Sequence, residues 1–94
     1  MFKRKKTVPR PEGPLTEESL RRWLVDYLAV HVEIPRDSID TSRTFEAHGL
    51  DSRVAVQVSG ALEKVVERRL SPGLLYEHQS IDALSAYLAR ELRL

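Results

Sequence analysis

Apolar residues recur at the three- and four-residue spacing of amphipathic helices in three segments of the chain. The first segment follows Thr16, a residue type that often caps helices, and ends before Pro35, which disfavours helical geometry at the residue preceding it. No segment alternates apolar and polar residues with a period of two, so strands are not predicted. The predicted buried stripe of this first helix comprises Leu20, Trp23, Leu24, Tyr27, Leu28 and, at its frayed end, His31.

The second helical segment begins directly after Asp51, which can cap it and whose charge suits the positive end of the helix dipole. Projected at about 100° per residue, its apolar side chains fall on one stripe about 120° wide. Ser52 lies at or beyond the edge of that stripe and is predicted to face solvent. A hydroxyl is thus placed at a helix start, which favours an attached phosphate. The stripe comprises Val54, Ala55, Val58, Leu62, Val65 and Val66.

Two further helices are predicted after residue 70. Ser71 is expected to cap a short helix whose buried side is Leu74, Leu75 and Tyr76, and Ser80 to cap a last helix. That last helix carries a stripe of Ile81, Leu84, Leu88 and Leu92, with Tyr87 beside it.

Residues 33–50 form a long connection rich in turn-forming residues, and Ile34, Ile39 and Phe45 are spaced to anchor it to a core. Ordered loops of this length are uncommon in small domains and tend to be functional. The predicted fold is therefore all-α: a small four-helix bundle of three main helices and one short helix, with a long loop between helices 1 and 2.

The formal net charge of +1 conceals an uneven distribution. Residues 1–14 carry a charge of +4, largely from Lys3, Arg4, Lys5 and Lys6, whereas residues 15–94 carry −3. We interpret 1–14 as a flexible basic leader or linker and 15–94 as one folded domain. Because the chain has neither a membrane-length apolar run nor a signal-peptide core, a cytoplasmic protein without a membrane partner is predicted.

Catalytic chemistry is poorly represented in the sequence. The absence of cysteine excludes a disulfide, a thiolate metal site and a cysteine nucleophile. His31, His48 and His78 share no ligand spacing, so no metal site is predicted. Spacing alone leaves open a triad of Ser52, His48 and a carboxylate, but so small a domain has little room for a substrate pocket. We therefore predict no catalytic residue and no enzymatic activity.

Phe45, the four residues Gly49-Leu50-Asp51-Ser52 and the helix that follows them stand at the spacing found in the acyl and peptidyl carrier protein family. The chain resembles this family from about Leu15 to Leu92, and most closely the carriers of modular polyketide pathways. The resemblance implies that Ser52 receives 4′-phosphopantetheine from coenzyme A as a phosphodiester, with Asp51 helping to present it. The thiol of that arm would hold acyl groups as thioesters for polyketide, fatty-acid or related biosynthesis.

The resemblance also implies the partners. They are a phosphopantetheinyl transferase, an acyl-loading enzyme (an acyltransferase or a fatty-acyl-AMP ligase), and ketosynthase or other synthase domains, all acting on a monomer. Arg53 departs from the apolar residue usual in the family, and the exposed side of the helix is less acidic than in stand-alone fatty-acid carriers. Partner contacts are therefore predicted at Arg53, Val56, Gln57 and Gly60, although Val56 could instead extend the buried stripe.

Three alternatives remain open from the sequence. The chain could be a peptidyl or aminoacyl carrier of a nonribosomal peptide pathway. It could be a helical nucleic-acid-binding module that uses its basic arm, although the acidic body lacks a basic recognition helix, so no nucleic-acid partner is predicted. It could also be a plain interaction domain in which Ser52 is an ordinary helix cap.

Overall fold

The computed structural model describes residues 8–94, which form an all-α bundle with three main helices and one short helix, as predicted. The helices are α1 (Glu17–His31), α2 (Ser52–Val66), α3 (Leu74–Glu77) and α4 (Ile81–Glu91). Within residues 8–94 there is no strand, only an isolated bridge between Thr44 and Ser80. The basic cluster of residues 3–6 lies outside the described residues.

None of the helices in this described range is both long enough and apolar enough to cross a membrane. The loop between α1 and α2 contains two short 3-10 turns, Arg36–Ser38 and Glu46–His48.

The first and last helices, α1 and α4, begin at predicted caps. The Thr16 hydroxyl accepts a hydrogen bond from the Ser19 N–H (3.0 Å), and the Ser19 hydroxyl accepts one from the Thr16 N–H (2.8 Å). This reciprocal capping box satisfies backbone donors at the start of α1 that have no intrahelical partner. At α4 the Ser80 hydroxyl accepts from the Ala83 N–H (3.1 Å). The positions of Thr16 and Ser80 as caps are therefore confirmed.

The three predicted apolar stripes meet in one core, with α1 packed most extensively against α4. Their leucines Leu20, Leu24, Leu28, Leu62, Leu84 and Leu88 are almost fully buried, so each contributes to hydrophobic stabilisation. His31 is half-buried at the end of α1 and stacks on Tyr27, with ring centroids 4.1 Å apart. The buried stripe residues are Leu20, Trp23, Leu24, Tyr27, Leu28, Ala55, Val58, Leu62, Val65, Val66, Ile81, Leu84 and Leu88.

The short helix α3 differs from the prediction in two ways. Tyr76 is 58% exposed rather than buried, because successive helical residues point about 100° apart and Leu74 and Leu75 already occupy the inward side. The N-cap position belongs to Gly73, which makes no side-chain capping bond, and not to Ser71. The Ser71 hydroxyl instead accepts a hydrogen bond from the Gly73 N–H (3.1 Å) and stabilises the turn before the helix.

Part of the predicted leader contacts the bundle. Val8 is half-buried against the core. The Arg10 guanidinium donates to the Val65 carbonyl (3.2 Å) and pairs with the Glu67 carboxylate (2.8 Å) at the end of α2. A cation at a helix C-terminus offsets the partial negative charge of the free carbonyl groups. The division into a leader (1–14) and a domain (15–94) stays a prediction.

Candidate functional site

Ser52 is the first residue of α2, and its side chain is exposed. Asp51 precedes it in extended conformation, and one of its carboxylate oxygens accepts a hydrogen bond from the Val54 N–H (3.0 Å). The predicted cap at Asp51 and the predicted exposure of Ser52 are both confirmed. The serine hydroxyl is thus held on a rigid element at the positive end of a 15-residue helix.

A tight turn delivers the chain to this helix. Gly49 has a φ of 90°, in the left-handed region that residues with a side chain rarely adopt. A Cβ built at Gly49 would meet no heavy atom within 4 Å, so backbone conformation rather than lack of space favours glycine here. The Gly49 N–H donates to the Glu46 carbonyl (2.9 Å), and the Leu50 N–H donates to the Phe45 carbonyl (3.2 Å).

The turn is anchored to the bundle through its neighbours in the loop. Phe45 is 4% exposed, and its N–H donates to the Gln79 carbonyl (2.7 Å), just before α4. Earlier in the loop, the Thr41 carbonyl accepts from the Asp82 N–H (3.0 Å) in the first turn of α4. The predicted burial of Phe45 is confirmed, and these backbone bonds hold the loop against the start of α4.

His48 is buried in the turn, and both of its ring nitrogens contact the backbone. Nε2 lies 3.2 Å from the Asp40 nitrogen, and Nδ1 lies 3.1 Å from the Thr44 carbonyl oxygen. The triad of Ser52, His48 and a carboxylate is therefore wrong, because neither imidazole nitrogen is available to the serine hydroxyl. Within residues 8–94, no group of three or more His, Cys, Asp or Glu side chains has a metal-binding arrangement.

A groove of about 340 Å³ lies beside Ser52, between the loop, the start of α2 and α3. Its lining mixes apolar and polar side chains, as a flexible amphipathic group would require. An exposed serine hydroxyl at a helix start, with room beside it, fits a covalently attached phosphodiester arm. The lining residues are Thr44, Phe45, Glu46, Leu50, Asp51, Ser52, Ala55, Leu75, Tyr76 and Gln79.

The four predicted partner-contact residues are all exposed on α2. Val56 is 54% exposed, so the alternative that it extends the buried stripe is wrong. Tyr76, which was predicted to be buried, lines the groove from α3 and adds a large exposed ring near Ser52. The exposed residues of α2 that extend from Ser52 are Arg53, Val56, Gln57 and Gly60.

Comparison with known proteins identifies the family. Residues 22–88 match the family model described as "Phosphopantetheine attachment site". The chain is 41% identical over 73 residues to a phenolphthiocerol/phthiocerol polyketide synthase chain of Mycobacterium tuberculosis, covering 78% of this chain but only 4% of that protein. It is 31% identical over 83 residues to the acyl carrier protein TtuC of Teredinibacter turnerae, covering 88% of this chain and 95% of that one.

Solved structures agree with this assignment. A free-standing peptidyl carrier protein from Acinetobacter baumannii is 34% identical, with a TM-score of 0.78 over 82% of this chain and 96% of that chain. The acyl carrier protein Asl1650 from Anabaena is 27% identical, with a TM-score of 0.77 over 92% and 94%. The chain therefore belongs to the phosphopantetheine attachment site family: it is a non-catalytic carrier domain whose cofactor is phosphopantetheine.

Proposed function

We propose that Ser52 is the attachment residue and that the chain carries acyl intermediates in polyketide or related lipid and natural-product biosynthesis. The observation that carries this proposal is the exposed hydroxyl at the first residue of α2, next to the Asp51 cap and the groove. When attached, the 4′-phosphopantetheine arm supplies a terminal thiol that holds an acyl group as a thioester.

The residues around Ser52 would act by holding and orienting it. Asp51 fixes the first turn of α2 through the Val54 N–H, so the serine hydroxyl projects from backbone that is already ordered. Helix geometry leaves the first backbone N–H groups without intrahelical acceptors, and these groups favour a negative phosphodiester at the same end. Asp51 and Ser52 together are thus the proposed site of cofactor attachment.

The polyketide assignment is supported by the mycobacterial relative, which is part of a polyketide synthase. This chain spans 4% of that relative's length, so the reaction of the whole protein does not transfer to it. The peptidyl carrier structure supports the alternative, that aminoacyl or peptidyl groups are carried instead. The proposed partners are a phosphopantetheinyl transferase, an acyltransferase or fatty-acyl-AMP ligase, and ketosynthase or other synthase domains. The cytoplasmic location and the monomeric state stay predictions.

The surface proposed to meet these partners is the exposed side of α2 at Arg53, Val56, Gln57 and Gly60. It combines a positive charge, an apolar side chain, an amide and a position without a side chain, and it adjoins Ser52. Partners that dock there would gain apolar contact at Val56, and an acidic group on the partner would complement Arg53. Arg53→Glu should therefore slow loading by the cognate enzyme without unfolding the bundle.

The nature of the cargo is tested by loading the phosphopantetheinylated protein. The protein is incubated with ATP and either a fatty acid and a fatty-acyl-AMP ligase, or an amino acid and an adenylation enzyme. The acyl-carrier proposal predicts a mass increase equal to the fatty-acyl group, which hydroxylamine reverses, and no increase from the amino acid. Preferential aminoacyl loading would instead indicate a carrier of a peptide pathway.

A further inference from the structure

The hydrogen bonds of His48 define its protonation state. The Asp40 backbone nitrogen can only donate, so Nε2 of His48 must accept from it with a free lone pair (3.2 Å). The Thr44 carbonyl can only accept, so Nδ1 must carry the proton and donate to it (3.1 Å). The imidazole is therefore neutral in this structure. A charged ring would place an N–H against the Asp40 N–H.

This ring connects two parts of the loop that lie eight residues apart. On one side is the backbone at Asp40, and on the other is the turn Glu46–His48, which leads through Gly49 to Ser52. His48 is only 9% exposed, so its two bonds are shielded from competition with water. The backbone of the same residue also donates to the Phe45 carbonyl (3.0 Å), which couples the ring to the anchored part of the loop.

We propose that the neutral imidazole of His48 is a positioning residue for Ser52, and that its protonation releases the loop and slows reactions at the serine. The proposal rests on the proposed role of Ser52 as the attachment residue. His48 does not contact the reacting hydroxyl. It acts by holding the turn that sets where α2 begins.

Charged groups around the His48 ring determine whether its protonated form is attracted away from the position that the neutral ring holds. The Ser42 hydroxyl (2.6 Å) and the Ser42 N–H (2.9 Å) donate to Asp40 and hold the pKa of that carboxyl below its usual value, helped by Arg43. Asp40 therefore stays negative between about pH 8 and about pH 5, the interval in which histidine side chains change charge. Its carboxylate attracts a protonated imidazole.

The backbone N–H of Asp40 disfavours the protonated imidazole, because this N–H loses its acceptor when Nε2 is protonated. A charged ring drawn towards the carboxylate must leave the position it holds between the two backbone groups. Helix α4 packs against this loop and carries the Asp82 carboxylate in its first turn. That carboxylate is already paired with Arg21 (3.0 Å). Glu46, in the same turn as His48, is exposed.

The first test reads the loop directly in the wild-type protein by NMR. Nitrogen-15 spectra of the imidazole should show the Nδ1–H tautomer at pH 8, and the Asp40 amide should be protected from hydrogen exchange. As the imidazole becomes charged, that protection should fall about fivefold, the change expected for one lost buried hydrogen bond. The Nε2–H tautomer at pH 8, or an Asp40 amide that stays protected with the ring charged, would overturn the proposal.

The second test compares kcat/KM for phosphopantetheinyl transfer to three forms of the protein. His48→Gln keeps an acceptor able to reach the Asp40 N–H but cannot titrate, whereas His48→Leu has neither property. At pH 8 we expect about a fivefold loss in His48→Leu and less than a twofold loss in His48→Gln. At pH 5.5 the wild type should fall relative to His48→Gln. His78→Gln is the matched control, since His78 stacks on Tyr87 and should not change the pH profile.

The outcomes separate this proposal from the one on which it rests. If the wild type is never modified, Ser52 is not an attachment residue. The tautomer and the Asp40 protection then still test whether the neutral His48 ring holds the loop. If all forms are modified at equal rates at every pH while the Asp40 protection changes as expected, His48 holds the loop but does not position Ser52. A His48→Leu variant that fails to fold leaves the His48→Gln comparison and the wild-type NMR titration to decide.

Discussion

The two sides of the 15-residue helix α2 lie in different surroundings. One side places Ala55, Val58 and Leu62 in the core at 4%, 0% and 0% exposure. The other leaves Ser52 and Val56 in solvent. The residues that stabilise the core and those proposed to meet partners therefore lie only a few positions apart, on different sides of the helix. Substitutions on the two sides should separate stability from activity.

The largest effect is expected on the buried side. Leu62→Ala removes a fully buried side chain and should lower the free energy of unfolding by about 3 kcal/mol through lost burial and a cavity. Urea denaturation followed by circular dichroism measures this change. The fraction that remains folded should still accept the cofactor at Ser52. A loss below about 1 kcal/mol would mean that the buried side of α2 is not the stabilising one.

The junction between the two sides is probed at Asp51. Asp51→Ala removes the cap on the Val54 N–H and should cost about 1 kcal/mol of stability. Asp51→Asn is the matched control, because asparagine caps helices nearly as well but has no charge. If the carboxylate also presents Ser52 to the transferase, Asp51→Asn should keep its stability while its rate of modification falls. Equal rates for Asp51→Asn and the wild type would limit Asp51 to capping.

Gly60 probes the exposed side in the middle of the helix. A Cβ at this position meets no heavy atom within 4 Å, so Gly60→Ala should stabilise the protein by about 0.5–1 kcal/mol. If partners approach the backbone closely here, the same variant should load more slowly from its cognate enzyme. Thermal unfolding and loading kinetics on one preparation give both readouts. A destabilised Gly60→Ala would contradict the open position seen at this residue.

The smallest change in stability is expected at Val56. Val56→Ala should alter the free energy of unfolding by no more than about 0.5 kcal/mol, because the side chain is half in solvent. Val58→Ala is the control on the opposite side, and its fully buried side chain should cost about 2 kcal/mol. When both variants are folded, loading by a partner enzyme should be slowed more by Val56→Ala than by Val58→Ala. A Val56→Ala loss as large as that of Val58→Ala would remove the distinction.

Local patterns accounted for most of the fold. Helix periodicity predicted the buried stripes, and the caps at Thr16, Asp51 and Ser80 were recognisable because capping depends on residues only two or three positions away. Tyr76 was misplaced because a single-turn helix contains too few residues to reveal a periodicity. The contact of Arg10 with the end of α2 joins residues 55 apart and leaves no local signal.

The candidate site was only partly recognisable in the sequence. The cap at Asp51 and the exposed position of Ser52 could be predicted because the turn, the cap and the helix start are contiguous. The buried position of His48 was not found, because a histidine in a polar loop carries no mark of the backbone groups that tertiary structure brings to it. The groove likewise depends on α3 packing beside the start of α2, which no short motif encodes.

The role assigned to Ser52 is tested most directly by locating the attached cofactor. Wild type and Ser52→Ala are incubated with coenzyme A and a broad-specificity phosphopantetheinyl transferase, and intact mass and fragment spectra are recorded. We predict one phosphopantetheine per wild-type chain, located on Ser52, and none on Ser52→Ala, with both proteins folded by circular dichroism. A wild type that stays unmodified, or a Ser52→Ala variant modified equally well, would contradict that role.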